Sequence, residues 1–501
     1  MTKIVLATLN AKYIHASLGL RYLYANLEEL QPDALIAEYT INNRPIDIVE
    51  SILSHQPEIV GLGVYIWNIE ETMQVVSQLK TVAPEVKVIL GGPEVSYETQ
   101  QHGIFGQCDY VVTGAADLSF TQLCRNILNK RAPVEKIIKS PAIQLADLQF
   151  PYQYYTDEDL AHRLIYVEAS RGCPFKCEFC LSALDKTSYP FSLEQFLEQM
   201  QALYDRSARH FKFVDRTFNL KIATTLQILD FFLERLDDDL FLHFEVIPDH
   251  LPDKLKEKLK LFPAGSLQFE VGIQSFNPEV QALISRKQNN EKSKDNLKWL
   301  RENTTAHIHA DLIFGLPGET IKTFEKSFDE LYECQPHEIQ MGILKRLKGS
   351  PIIRHTEEFK LRFNPLPPYN ILQTDRVDFL TMQRVNRFAR YWDMIGNSGR
   401  FKHFLPSLLG DQPFARFLKL TDWLFDITQQ THQINLKRLF EILMNVDELF
   451  SDLDYDTYRP LLDLDYEATR LKGRLTASRE AEQQKSSQHK RSVRQQRHLT
   501  A

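Results

Sequence analysis

The run Glu168-Ala-Ser-Arg-Gly-Cys173-Pro-Phe-Lys-Cys177-Glu-Phe-Cys180 places three cysteines at CxxxCxxC spacing. They follow an apolar stretch, 164–167, that reads as a strand. A strand that feeds three thiolates into one tight loop sets them around a common space. Iron–sulfur clusters are held by Cys thiolates, usually four. Three thiolates would leave the fourth iron of a [4Fe-4S] cluster without a protein ligand, as a catalytic metal keeps one position open for its substrate. A structural zinc site wants four closed ligands, and no fourth Cys or His lies at finger spacing. The remaining cysteines, Cys108, Cys124 and Cys334, stand singly. Cys173, Cys177 and Cys180 are therefore read as cluster ligands.

Strand and helix signals alternate on both sides of this loop. Ahead of it, strands are expected at 3–9, 58–67, 86–90 and 110–113, with helices at 17–30, 69–82 and up to about 128. That alternation argues a doubly wound parallel sheet over 1–130, whose ligands lie beyond the carboxyl ends of the strands. Residues 131–162 are proline-punctuated and read as a connector. Six further strands are expected at 164–168, 211–214, 242–247, 267–273, 307–314 and 339–344. Six strand–helix units over 163–355 read as a partial (β/α)6 parallel barrel, with chemistry at the carboxyl ends of its strands. Residues 360–467, with helical periodicity at 375–391 and 436–450, read as an α-helical C-terminal domain. The stretch 468–501 reads as a basic, disordered tail. The fold class is thus α/β, followed by helices.

Charge and cysteine usage narrow the setting. Residues 470–501 hold nine Lys/Arg against two Glu, a net +7; the chain totals −7, so the rest carries −14. No stretch approaches the roughly 18 apolar residues of a membrane span. The start of the chain enters a strand at once, without a signal-peptide pattern. Clustered thiols want a reducing compartment, so a cytoplasmic location and no membrane partner are expected.

The cysteine loop resembles that of the radical S-adenosylmethionine (SAM) enzymes, down to the aromatic Phe179 before the last cysteine. In that family the open iron chelates the amino and carboxylate groups of SAM, and an electron from the cluster releases a 5′-deoxyadenosyl radical. The resemblance implies further SAM contacts. Asp311-Leu-Ile313-Phe-Gly315-Leu-Pro-Gly-Glu319 resembles the family's GxIxGxxxE segment, with Asp311 replacing its first glycine; Ile313 would meet the adenine and Gly315 permit the turn. Glu270 and Gln274 share one face of their strand and would meet the ribose. Arg286 would pair with the SAM carboxylate, because a guanidinium makes bidentate carboxylate contacts. Asp215 would accept from the SAM amine. His243 and Glu245 alternate to one side and would face a small-molecule substrate. An electron donor such as flavodoxin or ferredoxin is implied as a partner.

A parallel sheet ahead of such a barrel resembles the cobalamin-binding domain of the class B members. Gly91-Gly92 and Gly114, at strand ends, would let the cofactor approach backbone. Tyr13, His15 and Tyr65 lie on the same sheet edge. The DxHxxG cobalamin motif is absent, so His15 is expected near cobalamin and not bonded to cobalt. Ala115-Ala116-Asp117 departs from the Gly-Glu-Gly-Glu common in relatives after Gly114.

The function implied is a cobalamin-dependent radical SAM enzyme with a [4Fe-4S] cluster, SAM and cobalamin as cofactors, methylating an unactivated carbon in one version of its chemistry. A methylthiotransferase is the first alternative, though it needs more N-terminal cysteines than Cys108 and Cys124. A non-catalytic nucleic-acid-binding protein using the basic tail is the second. The tail lacks interleaved aromatics, so nucleic acid is not the expected partner.

Overall fold

The computed structural model describes residues 2–185, 187–471 and 475. Among them lie two compact units, one formed by residues 2–185 and 187–337 with 341–379 and one formed by 338–340 with 380–471. The first unit holds the N-terminal parallel sheet and, apart from residues 338–340, the second.

In the N-terminal sheet, β1 (Ile4–Asn10), β2 (Ala34–Thr40), β3 (Ile59–Gly63), β4 (Lys87–Gly91), β5 (Tyr110–Thr113) and β6 (Ile137–Lys139) lie in the order β2-β1-β3-β4-β5-β6. All pairs are parallel. Every residue of β1 is buried, as a strand covered on both faces requires. One apolar layer packs beneath α2 (Pro45–Ser54) and α3 (Ile69–Val82), and the other beneath α1 (Leu18–Ala25) and α4 (Ser119–Leu128). Two strands have no counterpart in the sequence reading. β2 escapes it because its residues are only partly buried at the sheet edge and carry little alternation. β6 is three residues long and lies inside the stretch read as connector.

The second sheet contains β7 (Ile165–Val167), β10 (His210–Phe213), β11 (Phe241–Val246), β12 (Leu267–Gln274), β13 (His307–Phe314) and β14 (Glu338–Ile343), in the spatial order β14-β13-β12-β11-β10-β7. The short strands β8 (Ser170–Arg171) and β9 (Tyr189–Pro190) pair with each other as a hairpin around the cysteine loop. Neighbours in space are successive units in sequence, the arrangement of a partial barrel. The two longest strands, β12 and β13, alternate strictly. In β12 and β13 each Leu, Phe, Val, Ile or Ala at alternate positions is buried toward the helices. The other face carries Gln268, Glu270 and Gln274 on β12, and His309, Asp311 and Ile313 on β13. A closed eight-unit barrel fills its interior with branched apolar side chains. Here the inner face is largely polar, and suits a ligand chamber.

The second unit is helical, with α5 (Phe379–Ile395), α6 (Phe404–Leu409), α7 (Pro413–Thr428), α8 (Leu436–Leu443) and α9 (Tyr455–Ala468). Phe388 stacks on Phe414 and Trp392, and Phe401 on Phe440, which joins its helices through aromatic pairs. The helix expected at 436–450 ends at Leu443, followed by a 3-10 turn at Val446–Glu448. Most of the basic stretch 468–501 lies outside the described residues. Among the described residues no helix is long and apolar enough to cross a membrane.

Candidate active site

The cysteine loop leaves β8 through Gly172, whose φ of +89° lies in the left-handed region. A Cβ there would run into the carbonyl oxygen of Thr187, so the turn admits glycine. The Cys173 N–H reaches the Asp185 carbonyl at 3.4 Å, and the Cys180 N–H donates to the Cys177 carbonyl at 3.1 Å. The three thiols are within electrostatic reach of one another. Burial pushes the Cys173 and Cys177 thiols up. The Arg286 guanidinium, with Nη1 3.6 Å from the Cys177 sulfur, opposes this at Cys177. Among the described residues no three His, Cys, Asp or Glu side chains gather at single-ion spacing.

Glu178 anchors this loop from behind. It is 3% exposed. Its carboxylate accepts from the Ser285 hydroxyl and Arg354, and lies 2.9 Å from His355 Nε2. Its backbone N–H donates to the Ile284 carbonyl at 3.1 Å, while its carbonyl accepts from the Ile352 N–H at 2.9 Å. Two segments distant in sequence thus hold the residue between two candidate ligands. Nothing in a lone glutamate inside CxxxCxxC signals this, because its partners lie 107 to 177 positions away.

The residues expected around SAM are gathered at the carboxyl ends of the barrel strands. Arg286 donates to the Gly272 carbonyl and to the Gln288 side chain at 2.7 Å. Gln274 has a φ of +69°, at a register shift that ends β12, and its Oε1 is buried without a hydrogen-bond partner. Such left-handed backbone at a non-glycine residue is held only where surroundings enforce it. Ile313 lies one residue before the end of β13, and Gly315 turns the chain with φ +89°. The Glu319 carboxylate accepts from the Gly315 and Leu316 N–H groups at 3.0 and 3.4 Å, stapling that turn. Phe179 is half-buried on the loop. Burial would raise the Glu270 carboxyl, but His243, Lys212 and His309 outweigh it and hold it down at about 2. Glu245 pairs with Arg216 at 2.7 Å. Asp215 departs from its expected task. It is 3% exposed, and its oxygens accept from the Ala169 N–H at 2.9 Å and from the Ser170 hydroxyl. Both oxygens are engaged in bracing the hairpin that carries the cysteines, and burial lifts its carboxyl to about 7.

A cavity of about 770 Å3 opens between α1 and the carboxyl ends of β1, β3, β4 and β5. Gly91, Gly92, Gly114, Tyr65 and His15 line it. The glycines differ in kind. A Cβ on Gly91 would meet only the Val112 carbonyl, at 3.7 Å, and otherwise project into space. A Cβ on Gly92 (φ +106°) would collide with the Val64 backbone, so that glycine serves the fold. Tyr65 stacks on Trp67 with ring centroids 4.4 Å apart. Tyr13 is not among the lining residues: it is 49% exposed, its hydroxyl donates to Glu158 at 2.7 Å, and the Arg163 guanidinium lies over its ring. Its place in the sequence beside His15 does not carry its side chain inward.

The cavity ends on the barrel. Tyr166 of β7, Val214, Glu168 and Arg171 complete its wall. His15 Nδ1 lies 2.7 Å from the Tyr166 hydroxyl. Burial, then Lys212 and Lys12, holds the His15 imidazole below its ordinary value, so it stays neutral. Arg171, two residues before Cys173, makes two hydrogen bonds to Asp117 at 3.0 and 3.1 Å and one to Glu168 at 2.8 Å, and lies over the Tyr22 ring. Asp117, part of the departure after Gly114, thus ties the sheet domain to the cysteine hairpin. Arg171→Ala leaves two largely buried carboxylates without their cation. A loss of about 3–5 kcal/mol is expected in denaturant unfolding of the first unit, the scale for breaking a buried pair. The Arg171–Asp117 pair, Tyr166 and Glu178 were not legible as site residues. Each earns its place only through a partner far away in sequence.

The donor set fits the implied groups: three thiols on one loop, a glycine-floored apolar cavity, and a polar chamber between them. Residues 167–331 match the Radical SAM superfamily, residues 4–123 the B12 binding domain, and residues 357–501 a protein family of unknown function, DUF4080. An uncharacterized methyltransferase, PH0819, of Pyrococcus horikoshii is 27% identical over 62% of this chain and 71% of its own length. The cobalamin-dependent radical SAM methyltransferase TokK of Streptomyces tokunonensis is 24% identical over 58% of this chain; the match spans 47% of TokK. Among solved structures, the cobalamin-dependent SAM radical enzyme OxsB aligns over 93% of this chain and 84% of its own with a TM-score of 0.64 at 13% identity. The SAM methyltransferase TsrM of Kitasatospora setae aligns over 74% and 80% with 0.58 at 17%. These likenesses establish a shared fold. The chain thus carries in succession a B12-binding domain, a radical SAM domain and a domain of the DUF4080 family.

Proposed function

We propose that this enzyme methylates a carbon of a small molecule, with Cys173, Cys177 and Cys180 holding a [4Fe-4S] cluster and the N-terminal cavity holding cobalamin. One observation carries the reading: the cavity beneath α1 ends on Tyr166 and Val214, at the first two strands of the barrel, so a cofactor held there would face the barrel. When bound, the cluster with SAM supplies a 5′-deoxyadenosyl radical and cobalamin a transferable methyl group. The chain's own task is positioning. Glu178 and Asp215 brace the cysteine loop. Arg286, Gln274, Ile313, Gly315 and Glu270 stand where SAM would lie across the strand ends. Gly91, Gly114 and Tyr65 would border cobalamin, with His15 turned to Tyr166. Reduction would come from a flavodoxin- or ferredoxin-like donor in the cytoplasm.

The methylthiotransferase alternative needs a second cluster in the N-terminal domain. Cys108 is 5% exposed and Cys124 fully buried, in separate apolar layers. Burial lifts the Cys108 thiol to about 11 and that of Cys124 higher still. Neither suits a thiolate ligand.

The test is anaerobic reconstitution with iron, sulfide and cobalamin, then incubation with SAM and a low-potential reductant. Chromatography should find 5′-deoxyadenosine, and S-adenosylhomocysteine only when cobalamin is present. Deoxyadenosine without homocysteine product would replace methylation by a rearrangement or cyclisation. Neither product from a reduced, intact cluster would reject the reading.

A further inference from the structure

The chamber inside the half-barrel holds three carboxyl groups, and two of them are matched by cations. Glu270 lies 3.4 Å from Lys212 Nζ, with His243 Nε2 at 3.5 Å. Glu245 is held by Arg216. Among the described residues Asp311 has no Lys or Arg ion-pair partner. Its Oδ1 is buried and makes no hydrogen bond, and its one ion-pair contact is the imidazole of His309 on the same strand, Nε2 at 3.4 Å, which is charged only when protonated. Across the register Asp311 faces Gly272, which has no side chain to answer it. The charged groups around it are Glu270 of β12, Glu245 of β11, Lys212 of β10 and Arg286. Ile313, on the same inner face, is the next residue toward the open end.

A carboxyl that faces two others and has only an imidazole in ion-pair contact is costly to ionise until a cation enters. We propose that Asp311 is the counter-ion for an organic cation bound in the chamber, a sulfonium or an ammonium group. The inference rests on the SAM-binding reading above and extends it to the charge of the ligand. Two sources supply such a cation: the sulfonium of SAM itself, or a protonated amine on the substrate.

Proton bookkeeping gives a signature that a purely structural residue lacks. Burial, with Glu270 and Glu245, lifts the Asp311 carboxyl to about 8. Near pH 7 the free enzyme therefore holds Asp311 protonated. Arrival of a cation ionises it and releases one proton to the buffer; the release shrinks as pH rises past about 8 and Asp311 is already ionised.

The experiment is calorimetric titration of the full chain, loaded with cluster and cobalamin, in two buffers of different ionisation heat. Ligands are SAM, S-adenosylhomocysteine, and n-propylammonium added to the SAM-bound enzyme. S-adenosylhomocysteine keeps the amino and carboxylate groups of SAM and lacks the positive sulfur. If the sulfonium is the partner, SAM releases about one proton more than S-adenosylhomocysteine, and Asp311→Asn removes that difference and weakens SAM about tenfold, about 1.4 kcal/mol, with S-adenosylhomocysteine unchanged. If the partner is a substrate amine, the two nucleosides behave alike and propylammonium binds with proton release to wild type and about tenfold more weakly to Asp311→Asn. Equal affinities and equal proton release for wild type and Asp311→Asn with all three ligands would overturn the proposal and leave the SAM reading standing. Absence of SAM binding to wild type would overturn the SAM reading itself, and this inference with it. Asn is nearly isosteric with the neutral acid, and recovery of the proton release in Asp311→Glu would separate charge from packing.

Discussion

Alanine at Cys173, Cys177 and Cys180 together should reduce bound iron from about four per chain to near zero after reconstitution, and abolish formation of 5′-deoxyadenosine. The cause is direct: the loop presents these three thiols, and Cys108, Cys124 and Cys334 are buried singly where they cannot substitute. The fold should survive, because Gly172, Asp215 and Glu178 shape the loop through backbone and carboxylate hydrogen bonds that do not use sulfur. Iron analysis beside the circular dichroism of the apoprotein checks both halves. Iron content near the wild-type level in the triple variant would reject the ligand assignment. Glu178→Ala is the informative companion. It keeps all three sulfurs and removes the carboxylate that joins the loop to Ser285, Arg354 and His355. Faster loss of iron to a chelator is expected, with wild-type iron at the start.

Gly91→Val should weaken cobalamin binding by about 10- to 100-fold, the equivalent of the 1–3 kcal/mol that an added side chain costs in a filled space. The Gly91 Cβ would point into the cavity and meet no protein atom closer than 3.7 Å, so the ligand-free fold tolerates valine. Gly92→Val should instead unfold the sheet domain, since its Cβ meets the Val64 backbone. His15→Ala should retain cobalamin with an unchanged visible spectrum, because the chain lacks the DxHxxG motif that supplies a cobalt-binding histidine. Equilibrium dialysis and visible spectra separate these outcomes. A spectral change in His15→Ala that reports a lost nitrogen ligand would place His15 on cobalt. Undiminished cobalamin binding by a folded Gly91→Val would move the cofactor out of this cavity.

Both sheets and the cysteine loop were legible in the chain because their signals are local. Period-2 alternation marks 267–273 and 307–314 as strands with one apolar face, and the observed strands run Leu267–Gln274 and His307–Phe314. Helix 69–82 was equally plain, as a full amphipathic run ending in a solvated turn. β2 and β6 were not legible, because an edge strand is half-buried and needs no strong pattern. The same contrast runs through the site. CxxxCxxC can be read from spacing alone. The roles of Glu178 and Arg171 cannot, because a buried charge is defined by its partner, and Asp117 and the side-chain partners of Glu178 sit 54 to 177 residues away. Tyr13 and Asp215 mark the opposite error, where a position beside a site says nothing about which neighbours claim the side chain.

By itself, then, the sequence determined what short-range periodicity and spacing encode: two parallel sheets, the polar inner face of the half-barrel, and three thiols on one loop. Only the tertiary structure decided which glycine opens a cavity and which merely permits a turn, which carboxylates are spent on bracing, and that Asp311 has an imidazole as its ion-pair contact. Those properties depend on the charges and atoms that folding brings within a few ångströms, and sequence separation does not reveal them.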